Sequence, residues 1–529
     1  MGWSRRRSVI AGLVVLCVAG GAITYAVTRP SDPGYRPVPG AYPNVIVPAP
    51  VSAVADKGVV FTLPPSATIG SDVAGIGDYL AGILRTSTGY AIPIAKRGGT
   101  ISLRLAGAPA EVGASGYRLT IDADSVLVEA RGSAGLFAGV QTLLQALPPE
   151  VQSTKHATGP WTAQGGVIVD YPRFAYRGAM LDVARHFFTV AQVERYIDEI
   201  ALYKINYLHL HLTDDQGWRI AINGLPQLTA HGGSTSVGGG KGGYYSQADY
   251  RTIVAYAASR YITVVPEIDM PGHTNAALAS IPSLNCDGKA PQLYTGIDVG
   301  FSSLCVKLSK TYTFLDQVIG QLAAMTPGPY INIGGDESNI TSDADYATLI
   351  DRAQQIVRAY GKTAMGWHDI EKSTLLPSTV AEFWGTDVTD SALAEAAAKG
   401  TKMIMAPATR AYLDMKYTPS TTGKTWAAIV DVNDAYGWDP GNYLHGVSDN
   451  AVFGVEAALW TETVVTSADI EYMAFPRLPA IAELGWSPWR THDEGAFDAR
   501  LAAQGPRWRA MGMTYYPSHE IPWPAPSAG

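Results

Sequence analysis

Charge is scarce in this chain of 529 residues: Asp, Glu, Lys and Arg together make up 16% of it. Cations are the scarcer sign, 39 Lys+Arg against 47 Asp+Glu, for a net charge of −8. That balance argues against a nucleic-acid partner, which wants a basic face, and suits a neutral or cationic ligand. Cysteine is nearly absent, with three residues. Cys17 falls in the N-terminal segment, so a disulfide can only join Cys286 to Cys305 within the remainder. It would close a loop of about 20 residues and add on the order of 3 kcal/mol; two buried free thiols are the alternative. Apolar residues are plentiful at 47%, which excludes a disordered chain. Twelve Trp and 28 Tyr stand out. Aromatic faces bind sugar rings well, although most of these side chains belong to the core.

The N-terminus reads Arg5-Arg6-Arg7 followed by an uncharged stretch from Ser8 to Thr28. A basic start and an apolar run are the marks of an export signal. The small-residue pattern ahead of Val27 (Thr24, Ala26) makes a poor cleavage site, and the stretch is nearly long enough to span a bilayer. Residues 1–28 therefore read as a signal peptide, with an uncleaved membrane anchor over residues 8–28 as the alternative. Either way the chain is expected to be secreted or at the cell surface, touching membrane only through that segment. Seven prolines lie between Pro30 and Pro50, so residues 29–50 read as an extended linker.

Residues 51–170 carry short strand patterns (Val59–Phe61, Ile101–Leu105, Tyr117–Ile121, Ser125–Glu129) and a helical spacing from Ser133 to Leu147. They are expected to form a small α+β domain. From Phe174 the pattern changes. Apolar runs recur, each ending in polar residues and followed by a helical stretch: Tyr176–Val183, Ile205–Leu212, Ile262–Ile268, Tyr330–Ile333, Thr363–Trp367, Val380–Trp384, Lys402–Ala406 and Val452–Leu459. Fully apolar strands alternating with helices indicate a parallel sheet. Eight such units indicate a (β/α)8 TIM barrel over residues 171–510, with residues 511–529 as a tail.

In that fold the C-terminal strand ends carry function. Here they hold Arg185-His186, Asp214-Asp215, Glu267, Asp269, His273, Asp336-Glu337, Trp367-His368-Asp369, Trp384, Tyr412, Asp414 and Trp460-Thr461-Glu462. Any single one has a bland reading, an Asp as a helix cap or a Trp as core. Gathered on one rim, carboxylates, an Arg and indoles suit a polyhydroxylated ring. A glycosidase usually needs an acid and a second carboxylate. Glu337 is the natural acid. The seventh strand runs into Pro407-Ala408-Thr409 and offers no carboxylate. Asp336 adjoins Glu337, and neighbouring side chains on an extended chain diverge. Either Glu462 or Glu267 is then the nucleophile, or the substrate supplies its own.

Five motifs in order carry a resemblance: Arg177 to Phe187 (RGAMLDVARHF), His209 to Gln216 (HLHLTDDQ), Pro266 to His273 (PEIDMPGH), Gly334-Gly335-Asp336-Glu337 and Trp460-Thr461-Glu462. On these the chain resembles glycoside hydrolase family 20, the β-N-acetylhexosaminidases. The resemblance implies an exo-acting, retaining glycosidase that releases terminal β-linked N-acetylhexosamine from oligosaccharides such as chitooligosaccharides, with no cofactor and no metal. It implies Glu337 as general acid and later base. Asp336 then steadies the oxazolinium cation formed by the substrate's own acetamide, and Tyr412 binds the acetamido oxygen. Trp367, Trp384 and Trp460 enclose the sugar and its methyl group; Arg185, Asp414 and Glu462 grip the outer hydroxyls. Asp214 and His273 form a relay behind Glu337. The chain departs from the family pattern at Asn332 and at Ser338-Asn339. Three other readings remain open: a metal-dependent hydrolase built on His209 and His211, a non-catalytic surface sugar-binding barrel, and a conventional retaining glycosidase with Glu462 as nucleophile.

Overall fold

The computed structural model describes residues 45–524. The expected signal or anchor, Cys17, most of the proline-rich segment and the last five residues of the tail lie outside the described residues. No helix among the described residues is long and apolar enough to cross a membrane.

The N-terminal domain is a seven-stranded mixed sheet in the order Ser52–Thr62, Thr162–Asp170, Tyr117–Ile121, Val126–Ala130, Ile101–Arg104, Ile69–Ser71, Ile94–Ala95. Tyr117–Ile121 and Val126–Ala130 each bury every second side chain, which is the period of a strand with one face covered. The helix Ser133–Ala146 covers that face. Gly139 lets it come close, since a Cβ there would lie 2.4 Å from a Val128 methyl group. A second helix, Ala74–Thr88, and the strand Thr162–Asp170 are absent from the sequence reading. Each contains internal glycines (Gly75, Gly77 and Gly82; Gly165 and Gly166), which weaken local propensity.

The larger unit is a closed barrel of eight parallel strands: β1 (Tyr176–Asp182), β2 (Tyr207–His211), β3 (Thr263–Glu267), β4 (Tyr330–Asn332), β5 (Thr363–Trp367), β6 (Val380–Phe383), β7 (Lys402–Met405) and β8 (Val452–Leu459). Closure runs through β8 and β1, paired in unbroken register from Gly454↔Tyr176 to Leu459↔Leu181. The loops after these strands form one rim and carry the site.

The described end of the expected linker is no free spacer. Ile46 and Val47 are buried. The Val47 N–H donates to Gln145 Oε1 at 2.8 Å, and the Ala49 N–H donates to Glu483 Oε2 at 2.9 Å. Residues 45–50 thereby join the helix Ser133–Ala146 to the barrel. The tail also folds back: Met513, Tyr516 and Ile521 are buried, and Trp523 packs on Trp508. Apolar side chains in both segments outweigh the extended bias of their prolines.

Candidate active site

The turn that carries Asp336 and Glu337 follows β4. Gly334 and Gly335 have φ of 64° and 107°, and Glu337 itself has φ 46°. Glycine is required at 334, where a Cβ would fall 1.8 Å from Asp269 Oδ1. Asp269 accepts the Gly335 N–H at 3.1 Å and Asn332 Oδ1 accepts the Gly334 N–H at 2.9 Å. The departure at Asn332 thus supplies an acceptor inside the turn, and Ser338 Oγ accepts the Gly272 N–H at 3.1 Å.

Because this backbone coils, Asp336 and Glu337 do not diverge as an extended chain predicts. His273 Nε2 lies 3.5 Å from Asp336 Oδ2 and 3.4 Å from Glu337 Oε2. His273 Nδ1 faces Asp214 Oδ1 at 3.3 Å. Asp214 also receives Arg185 Nη2 at 2.8 Å and His211 Nε2 at 2.8 Å. Burial disfavours the Asp214 carboxylate, but Arg185 and His273 outweigh it and hold its pKa well below the usual range. For His273 burial opposes the cation, while Asp214 and Asp336 more than compensate and raise it. Burial lifts Asp336 to about 7, with His273 opposing and Glu337 adding.

Trp367 and Trp460 stand with ring centroids 5.4 Å apart, and Tyr412 lies 6.1 Å from Trp460. Burial raises the Tyr412 phenol well above its ordinary value, so it remains a donor. Trp384 is half-buried, its indole N–H donating to Asp369 Oδ2 at 3.1 Å. Arg185 sits 4.8 Å over the Trp460 ring. Burial and the nearby Glu462 raise the Asp414 carboxyl. The structure thus places all eleven sequence-predicted residues on the rim. Five of their buried polar atoms find no protein hydrogen-bond partner: Arg185 Nε, His273 Nε2, Asp336 Oδ1, Asp414 Oδ1 and Glu462 Oε2.

Two rim residues, Lys424 and Trp426, escaped sequence reasoning, and Asp215, read only as a strand-end carboxylate, proves to be a brace. Lys424 Nζ lies 3.3 Å from Glu462 Oε1. Trp426 is half-exposed at 49% and meets both Trp384 and Tyr412 at 5.9 Å. Asp215 accepts from Asn275 N–H at 2.8 Å and Ser302 Oγ at 2.6 Å, bracing the segment after His273. Lys424 and Trp426 lie in a long loop with no strand to mark them. The expected disulfide, Cys286–Cys305, is present with a Cα–Cα distance of 5.0 Å.

Two sequence alternatives are corrected. Glu267 is fully buried, with Oε1 bonded to Trp367 and Oε2 to His209 and His211; a carboxylate turned into the barrel cannot reach an anomeric carbon on the rim. His209 and His211 each spend both ring nitrogens on carboxylates, Glu456 and Glu267 for one, Glu267 and Asp214 for the other. Neither presents a nitrogen to the rim as a hydrolytic metal would need.

A model described as "Glycosyl hydrolase family 20, catalytic domain" matches residues 174–348 and 339–489, and "Glycosyl hydrolase family 20, domain 2" matches residues 43–171. The Beta-N-acetylhexosaminidase of Cellulomonas fimi is 40% identical over 493 residues, covering 91% of this chain and 98% of that protein. Among solved structures, the beta-N-acetylhexosaminidase from Streptomyces coelicolor aligns with a TM-score of 0.89 at 52% identity, covering 91% of this chain and 99% of that one. Streptomyces plicatus N-acetyl-beta-hexosaminidase in complex with Thio-NAglucal has a TM-score of 0.89 at 53% identity, covering 93% and 99%.

Proposed function

The chain belongs to glycosyl hydrolase family 20, and from that membership we propose a role for each residue of the rim. The protein is a β-N-acetylhexosaminidase, a retaining glycosidase that releases terminal non-reducing β-linked N-acetylhexosamine through an oxazolinium intermediate. Glu337 gives its proton to the glycosidic oxygen. The acetamido oxygen attacks the anomeric carbon as that bond breaks, forming the oxazolinium and freeing the leaving alcohol. Asp336, as the anion, accepts a hydrogen bond from the acetamido N–H and stabilises the positive charge. Glu337 then takes a proton from water, which attacks the same carbon from the face the alcohol left, so the β configuration returns.

The observation that carries this reading is the convergence of Asp336 and Glu337 on one nitrogen of His273, at 3.5 and 3.4 Å. Asp336 and Glu337 are adjacent residues of one turn facing the same imidazole nitrogen, and the end of β7, Pro407-Ala408-Thr409, offers no carboxylate to oppose them, which leaves the substrate's acetamide as the nucleophile. A third carboxylate, Glu462, is held beside Lys424. Tyr412 donates to the acetamido oxygen, and Trp367, Trp384 and Trp460 shape the pocket that aims it. Arg185 Nε, Asp414 Oδ1 and Glu462 Oε2 offer the unpartnered atoms for the outer hydroxyls. A site that satisfies every hydroxyl of one terminal sugar acts from the end of the polymer, and chitooligosaccharides fit that chemistry. The basic, then uncharged N-terminal sequence and the Cys286–Cys305 disulfide support export to an oxidising, extracellular setting.

The test is a matched pair of aryl glycosides. The N-acetylglucosaminide should turn over orders of magnitude faster than the glucoside, because an internal nucleophile is worth several kcal/mol in effective molarity. Proton NMR should show the β anomer first. An α product, or fast glucoside turnover, would overturn the reading.

A further inference from the structure

TIM barrels fill their interior with layers of branched aliphatic side chains. This barrel has a charged layer instead. His209, His211, Glu267, Glu382 and Glu456 are all fully buried between the strands. Such a layer is expensive, since well-packed apolar groups are often as stable as or more stable than buried ion pairs of the same volume. Its geometry leads to the rim through Glu267 and its neighbour His211. Glu267, the last of β3, accepts the Trp367 indole N–H on Oε1 at 2.9 Å. On Oε2 it meets His209 at 3.0 Å and, more closely, His211 Nδ1. His211 passes to Asp214 through Nε2 at 2.8 Å, and Asp214 faces His273, whose other nitrogen faces Glu337.

We propose that Glu267 is a positioning residue of the reaction, one oxygen setting the Trp367 wall of the sugar pocket and the other holding the His211–Asp214–His273 chain behind the acid. The proposal rests on Glu337 being that acid. Charges alternate along the chain. Burial opposes ionisation of Glu267, but His211 and His209 outweigh it and hold the carboxyl well below its usual range. Burial likewise opposes the His211 cation, yet Glu267 and Asp214 raise the imidazole to about 10. A cationic His211 donates from both nitrogens, which orients Asp214 toward His273 Nδ1 and leaves His273 Nε2 aimed at Glu337. The metal-like grouping of His209, Glu382 and Glu456 belongs to the same layer. Its carboxylates already meet His209 Nδ1, at 2.7 Å from Glu456 and 3.9 Å from Glu382.

Glu267→Gln in the full chain separates charge from packing, because the amide oxygen still accepts from Trp367. Aryl N-acetyl-β-glucosaminides of graded leaving-group basicity supply a readout that general loosening of the core would not mimic. With a phenyl leaving group, which needs protonation, kcat should fall about 10–100-fold, a part of what general acid catalysis contributes. With 2,4-dinitrophenyl, which leaves unprotonated, kcat should change by less than about 3-fold, with KM unchanged in both cases. Glu337→Gln is the reference. If it lacks this split, the reading of Glu337 as acid fails and the proposal with it. If Glu337→Gln shows the split and Glu267→Gln loses both substrates equally, or neither, the proposal alone is overturned. Should Glu267→Gln not fold, His211→Asn cuts the chain one link further on and carries the same comparison, with the same outcomes for and against.

Discussion

His273 and Glu337 both hold left-handed backbone, with φ of 54° and 46°, and their side chains meet 3.4 Å apart. Such conformations in residues other than glycine cost on the order of 1–3 kcal/mol each and persist only where the surroundings over-determine them. Here the Ser338 hydroxyl ties one turn to the other through Gly272. Two strained turns thus bring two distant loops to a single proton-bearing contact.

Replacing His273 by Asn tests that contact, because Asn tolerates the left-handed region while losing the ring. The variant should fold with an unchanged circular dichroism spectrum, and kcat should drop about 10²-fold, within the range for a general acid–base component. Wild-type turnover in the variant would remove His273 from the mechanism.

Asp336 predicts a pH dependence. Its ionised form is the one that stabilises the cation, and burial raises its pKa to about 7. A group raised in this way is protonated below that value, so kcat/KM should fall as pH drops through the neutral range, well above the ordinary carboxylate value. Asp336→Asn should cost about 10²–10³-fold in rate through lost charge stabilisation. It should also abolish this acidic limb. Persistence of the same limb in the variant would assign it to another group.

The Cys286–Cys305 disulfide closes the loop whose Ser302 braces Asp215 and the Thr274 N–H beside His273. Thiol titration of the denatured, unreduced protein should find neither cysteine free. The double Cys→Ser variant should lose roughly 3 kcal/mol of stability and show a lower Tm. Two titratable thiols at these positions would contradict the pairing.

Trp426 stands half-exposed against Trp384 and Tyr412, at the edge of the proposed sugar pocket. Trp426→Ala should raise KM by roughly 3–10-fold, the worth of an aromatic contact of about 0.5–1.5 kcal/mol, with kcat little changed. Steady-state kinetics on the N-acetylglucosaminide decides it; an unaltered KM would place the ring outside the binding path.

Much of the barrel was legible because its strands are short apolar runs between helices. Each of the eight runs read from the sequence forms a barrel strand, from Tyr176–Asp182 to Val452–Leu459. The N-terminal domain was less so. Ser52–Thr62 is a half-exposed strand with a register shift between Ala55 and Val60, which blurs the period of two. On the rim, motif residues such as Glu337 and Arg185 announced themselves, whereas Lys424 and Trp426 sit in a long loop that gives no periodic signal.

What the sequence by itself determined is the class of fold and the inventory of the rim, since strand period and strand-end chemistry are local properties of the chain. Only the tertiary structure decided how that inventory is wired. The convergence of Asp336 and Glu337 depends on a positive φ at Glu337, in a turn whose Gly335 and Gly334 N–H groups are held by Asp269, just past β3, and Asn332, the last residue of β4. The burial of Glu267 depends on which way β3 faces once the barrel has closed. Contacts between residues far apart in the chain, and the pKa values they set, arise only when eight strands share one interior, because there low polarity and close approach make each buried charge depend on its partners.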